Sequence, residues 1–134
     1  MATQYSTAVR NASNDQIETT VGTAPLLKGF TGSAPSNCAA AATGTALWSF
    51  ALPSDWLTAS SSGVKSLNGT WSGTASGTGT AGYFRITDSA GTTCHVQGTL
   101  TATGGGGDMT LDNTSIASGQ TVTISTFTLT FSGA

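Results

Sequence analysis

Charge is what this chain has least of. Of its 134 residues only 7% are charged: four Lys or Arg, six Asp or Glu, and a single histidine, His95. Catalysis by titratable groups needs several of them brought close together, and few are available here. The four cations, Arg10, Lys28, Lys65 and Arg85, are scattered along the sequence. Nucleic-acid binding, which needs clustered positive charge to displace counterions, is therefore not expected. No apolar run approaches the 18 or so residues of a membrane span, so no membrane partner is expected. The N-terminus, Met-Ala-Thr-Gln-Tyr, has no basic segment followed by an apolar one, and Sec-type export from it is not expected.

What is present is small and hydroxylated. Thr, Ser, Gly and Ala make up roughly three-fifths of the chain, while hydrophobic residues are 37%. The length suits one domain with a real core, residues 1–134. Within it, residues 1–22 read as an N-terminal helical arm and 23–134 as a β-sandwich.

Residues 3–21 carry the one helical pattern. Tyr5, Ala8, Val9, Ala12, Ile17 and Val21 recur near helical spacing, Ser6 or Thr3 is placed to cap the start, and Gly22 to end it. Its apolar stripe is thin, so the helix needs a neighbouring surface. Beyond Gly22 the period becomes two. Strands are predicted at Leu26–Phe30, Ala46–Leu52, Val64–Trp71, Ala81–Asp88, Thr92–Thr103, Met109–Asp112 and Thr121–Phe131, with Ile116 in a further short one. Residues 31–45, 72–80 and Gly104–Gly107 read as small-residue loops. Ser89-Ala90-Gly91 suits a hairpin turn. On its partner strands Phe84 and Ile86 share a face, as do Cys94, Val96 and Leu100. In the last strand Val122 and Ile124 have even parity and Phe127, Leu129 and Phe131 odd parity. A β-bulge or change of sheet is therefore expected near Ser125–Thr126. The fold class expected is mainly β: an antiparallel sandwich or jelly-roll-like domain of seven or eight strands with one N-terminal helix.

Candidate chemistry is thin. Cys94 and His95 are strand neighbours and should point to opposite faces, a poor arrangement for a dyad. No G-x-S-x-G elbow frames a serine nucleophile. Asp108, Asp112 and Asn113 lack the spacing of a calcium loop and read as turn caps. One histidine and two distant cysteines do not suit zinc. The glycine-rich stretches lack the Lys-Ser/Thr ending of a phosphate loop. No catalytic residue, metal or cofactor is expected. Cys38 and Cys94 read first as two buried free thiols; the alternative is a bridge closing a loop of roughly 55 residues. Trp48, Trp56 and Trp71 read as core anchors, with stacking on a sugar as the alternative for an exposed one, Trp56 being the candidate.

Three blocks of this sequence, ATQYSTAVRNASNDQIETTVGTAPLLK, LPSDW and AGYFRITDSAGTTCHVQGTLTATGGGGDMTLDNTSIASGQ, resemble a group of small structural proteins of tailed bacteriophages and prophages. The resemblance runs the length of the chain. It implies a non-enzymatic virion protein assembled in the host cytoplasm, most like a capsid cement or decoration protein. Such proteins sit on the major capsid protein lattice, often as dimers or trimers, and strengthen the shell across capsomer seams. On that expectation the partners are the major capsid protein and copies of the chain itself, and the candidate contacts are Tyr5, Val9, Ile17 and Trp56. A tail, neck or fibre component and a host-surface glycan-binding module are the alternatives.

Overall fold

The computed structural model describes residues 3–133. One helix, α1 (Thr7–Val21), precedes nine strands. Ser6 is the N-cap, its hydroxyl accepting from the Val9 amide at 3.2 Å, and Gly22 closes the C-terminus. Both boundaries were legible as caps. The strands are β1 (Leu26–Thr31), β2 (Ala46–Ala51), β3 (Val64–Ser66), β4 (Ser72–Thr74), β5 (Gly79–Thr87), β6 (Cys94–Ala102), β7 (Met109–Leu111), β8 (Ser115–Ile116) and β9 (Thr121–Thr130).

They form a curled sheet in the order β2-β1-β5-β6-β7-β9-β3. β4 lies beside β9, and β8 beside the start of β5. β3 and β4 both run along β9, so the expected single strand Val64–Trp71 is broken after Ser66. The Leu67 amide bonds Phe127 O at 3.0 Å and Trp71 O accepts from the Ile124 amide at 3.0 Å, carrying the ladder across the break. The curl is drawn together where the amides of Ser76 and Gly77 meet Leu47 O at 2.8 and 3.1 Å. The mainly β, sandwich-like architecture is as expected from the sequence.

One pairing departs from the antiparallel expectation. β6 and β7 run parallel, with Leu100 opposite Met109. Parallel neighbours ordinarily need a crossover of a dozen or more residues. Here Gly104–Gly107 doubles back against β6: the Gly107 amide donates to Thr101 Oγ1 at 2.9 Å and the Asp108 amide to Thr99 Oγ1 at 3.1 Å. A Cβ on Gly105 or Gly107 would meet Thr101 at 2.7 or 2.9 Å. The glycines thus allow a return too tight for side chains.

Bulges set the faces. Between β7 and β9 the register passes from Thr110–Thr126 to Leu111–Ile124, leaving Ser125 as the extra residue. Val122, Ile124 and Phe127 are all buried as a result, which resolves the parity conflict at the position expected. A second bulge was not anticipated. Ile86 pairs with Val96 but Thr87 pairs with Cys94, so His95 is the extra residue. Cys94 is thereby turned away from the face of Val96 and Leu100, correcting the expected grouping. It meets Cys38 and the two are joined in a disulfide, with Cα atoms 5.3 Å apart. The reading as two buried free thiols is corrected accordingly.

The core holds Trp48, Trp56, Trp71, Phe84 and Phe127 among aliphatic residues from most strands. Ring pairs run in series through it: Trp56–Trp71 at 5.9 Å, Trp71–Phe127 at 5.5 Å and Phe127–Phe84 at 5.6 Å. Residues 72–80, expected as an exposed loop, are partly strand. Ala75 is buried, and Gly73 lies flat under Phe50, where a Cβ would overlap the ring.

Candidate functional site

The N-terminal helix is the element the sequence marked for partner contact, and its own domain already holds one side of it. Over residues 10–14 the docking is polar. Asn14 is fully buried and its amide donates to Gly63 O and Leu129 O at 2.5 and 3.3 Å. Asn11 Oδ1 accepts from the Gly63 amide at 2.7 Å. Arg10 donates to Ser62 O at 2.9 Å. These bonds satisfy backbone groups of the 61–63 turn, which a wholly apolar helix face would leave unpaired. The arm of residues 1–22 is therefore seated on the domain over its described helical part.

Below this contact an open groove of about 440 Å³ is lined by Asp15, Glu18, Thr19, Gly22, Thr23, Ser54 and Lys65. At its floor the Lys65 ammonium lies 2.8 Å from Asp15 Oδ1 and 3.1 Å from Glu18 Oε2. Ser60 Oγ donates to the same Asp15 oxygen at 2.6 Å. Burial works against the charge on Lys65, but the hydrogen bonds to Asp15 and Glu18 more than offset it and hold its pKa above the ordinary lysine value. The hydrogen bonds from Lys65 and then Ser60 hold the Asp15 carboxyl below the usual carboxylate value. Both groups are thus locked in their charged forms. An ammonium so held is a poor nucleophile, and a carboxylate so held is a poor base. The trio fastens helix to sheet.

A shallower hollow of about 210 Å³ lies on the other side of α1, between Ser13, Gln16, Ile17, Thr20, Val21 and His95. Its apolar floor is Val21, with Ile17 packed against the core. Ile17 is half-buried, packing inward against the core while it lines this open hollow. Trp56, the other interior candidate, is fully buried, and its indole N–H donates to Gly22 O at 3.1 Å. It is a core residue beneath the helix C-terminus, which corrects its reading as a partner contact. The Ser54–Leu57 turn does return it to the core as expected. Tyr5 and Val9 are the described large hydrophobics left open, 42% and 47% exposed. Tyr5 packs edge-on against Phe131 with centroids 5.6 Å apart.

Pattern reading passed over the groups that fix these elements. Each of the four cations bonds within the chain: Arg10 to Ser62 O, Lys28 to Gly91 O at 3.0 Å, Lys65 to the two acids and Arg85 to Ala40 O at 2.7 Å. The available signal was their scarcity, together with Lys65 and Arg85 each standing inside an apolar strand pattern. Asp108 acts as a local cap, its Oδ2 accepting from the Thr99 amide and hydroxyl at 3.0 and 3.1 Å. Asn113 caps the Ser115 amide at 3.0 Å. Among the described residues no three His, Cys, Asp or Glu side chains gather as a metal-ligand set, and no helix is long and apolar enough to cross a membrane.

Comparison with protein families, with characterised proteins and with solved structures finds no match for this chain.

Proposed function

We propose that the protein is a non-enzymatic virion component, a capsid cement or decoration protein that binds the major capsid protein lattice, as a dimer or trimer, and stabilises the head. The observation that carries this reading is the direction in which the chain's few reactive groups point. All three tryptophans are buried and all four cations are engaged internally. What remains outside is rich in hydroxyls and weakly acidic, with Asp55, Asp108 and Asp112 exposed and Tyr5 and Val9 open at the start of α1. Such an exterior suits a part recognised by shape and surface burial rather than one that turns over a substrate. The virion context comes from the resemblance of the three sequence blocks quoted above. Burial of Trp56 removes the anchor on which the glycan-binding alternative rested.

The test is made on particles. Counting this chain per purified virion, by quantitative mass spectrometry and by particle imaging, should give copies that scale with the capsid lattice. Shells lacking it should fail at lower temperature or under milder osmotic shock. Tyr5→Ser/Val9→Ser should leave the isolated fold intact and lower occupancy on the shell. A handful of copies confined to the portal or tail would overturn the head assignment in favour of a tail or neck component. Unchanged shell resistance would overturn the cement role.

A further inference from the structure

The segment between β1 and β2, residues 32–45, crosses the sheet face opposite the main core. It carries no side chain larger than Asn37, and its apolar residues are Pro35, Cys38 and alanines, so it offers little apolar surface of its own. Strand side chains hold it by its backbone instead. Tyr83 Oη donates to Thr43 O at 2.6 Å and accepts from the Thr43 amide at 3.0 Å. Arg85 Nη2 donates to Ala40 O at 2.7 Å, and Gln97 Nε2 to Pro35 O at 2.8 Å. The Cys38–Cys94 disulfide is the single covalent tie, and it lies mid-segment.

Beneath the segment Phe30 stacks on Tyr83, centroids 5.0 Å apart and planes 13° apart. Both rings are buried, as is Arg85, yet neither ring belongs to the main core. The covering is imperfect, since Arg85 Nε and Gln97 Oε1 are buried without hydrogen-bond partners, each at a desolvation cost that water would relieve. The two ends of the segment are glycines in the left-handed region, Gly32 at φ +81° and Gly44 at φ +77°. Backbone freedom there lets a segment swing while its flanking strands stay paired.

We propose that residues 32–45 form a redox-latched flap, shut while Cys38 and Cys94 are bonded and open when they are thiols, uncovering the Phe30, Tyr83 and Arg85 surface. This inference does not rest on the virion reading. A dithiol reductant passes two electrons and two protons to the bridge, giving two thiols and its own disulfide. Glutathione disulfide re-forms the bridge by thiol–disulfide exchange and leaves as two glutathione thiols. A reducing cytoplasm thus favours the open flap and an oxidising exterior the shut one. Opening the flap costs a few hydrogen bonds and the cover over Phe30 and Tyr83, but leaves the main core cluster packed, so it is a local opening that costs less than unfolding the domain.

Hydrogen–deuterium exchange of the full chain, with and without a phosphine reductant, tests this. In the reduced protein, peptides spanning 36–44 should exchange at least about tenfold faster, while those of β9 keep their protection. Glutathione disulfide should restore the slow rate. Cys38→Ser/Cys94→Ser should match the reduced protein; the reduced natural chain decides the matter if that variant does not fold. Unchanged protection of 36–44 in the thiol form would overturn the latch. So would β9 exchanging in step with it, because the bridge would then be a staple of the whole fold.

Discussion

Trp56 separates a core residue from a contact residue, and two substitutions measure the difference. Trp56→Ala empties a fully buried site, for which large-to-small changes at aromatic positions cost about 3–5 kcal/mol. It also strips Gly22 O of its indole donor, adding about 1 kcal/mol for the lost hydrogen bond. The sum, about 4–6 kcal/mol, approaches the whole stability of many domains, roughly 5–15 kcal/mol. Trp56→Phe keeps a ring against Trp71 and loses the donor with part of the volume. Gly22 is half-buried, so water can reach its carbonyl, and a loss of about 1–2 kcal/mol is expected. Urea unfolding followed by far-ultraviolet circular dichroism reads both values without relying on the residue being replaced. The urea dependence of the free energy should stay constant while the midpoint falls. A Trp56→Ala variant within about 1 kcal/mol of the natural chain would refute the buried assignment. It would return Trp56 to the surface as a stacking platform.

Further outcomes follow from glycines, acids and a turn. A Cβ at Gly29 would overlap the Trp48 ring and one at Gly73 the Phe50 ring, but Trp48 is fully buried while Phe50 is partly open. Gly29→Ala should therefore cost about 1–3 kcal/mol or more and Gly73→Ala clearly less, by the same urea titration; equal losses would contradict that packing difference. The Asp15 and Asp88 carboxyls are both held below the ordinary value of 3.8, Asp15 chiefly by Lys65 and Asp88 chiefly by the Thr92 amide. Their contribution is present above pH 3.8 and is lost as pH falls through their lower folded values. Lys65 lies above 10.5, so its contribution is full below that pH and is lost as pH rises through its folded value. Asp15→Asn and Lys65→Met should flatten the acid and alkaline limbs respectively in stability measured against pH. Asp88→Ala removes the cap on the Thr92 and Thr93 amides at 2.9 and 3.4 Å and should loosen the turn, with hydrogen exchange at residues 88–93 rising before that of the strands.

Local signals that are strictly periodic or strictly chemical were readable from the chain. The Ser6 cap, the Ser89–Gly91 turn and the Ser125 bulge each follow from a rule that acts within a few residues. The bulge at His95 left no such trace, because Cys94, Val96 and Leu100 form an acceptable alternation until Cys38 is placed nearby. Parallel β7 was hidden for a similar reason. A four-glycine run signals a break but not the direction of the chain after it. The polar seat of α1 was the least visible. Asn11, Asn14 and Asp15 look like a solvent face until the 60–65 region is brought against them, and that contact spans about fifty residues of sequence. Residues 31–45 and the buried Arg85 were separately ordinary, and only their meeting gives either a role.

β9 has a consequence for the order in which this protein can take shape. It pairs with β7 on one side and with β3 and β4 on the other, and through Leu129 O it also anchors Asn14 of the helix. A ribosome delivers residues 121–130 after every one of those partners. Until it does, β3 and β4 lack their strand partner, α1 lacks part of its seat and β7 has only β6 beside it. Before then, β2-β1-β5-β6, with β7 beside β6 and β8 beside β5, is the part of the sheet able to form. The rest should lock in one late step, so that a chain stalled before residue 121 would leave half a sheet with an open edge, a template for aggregation.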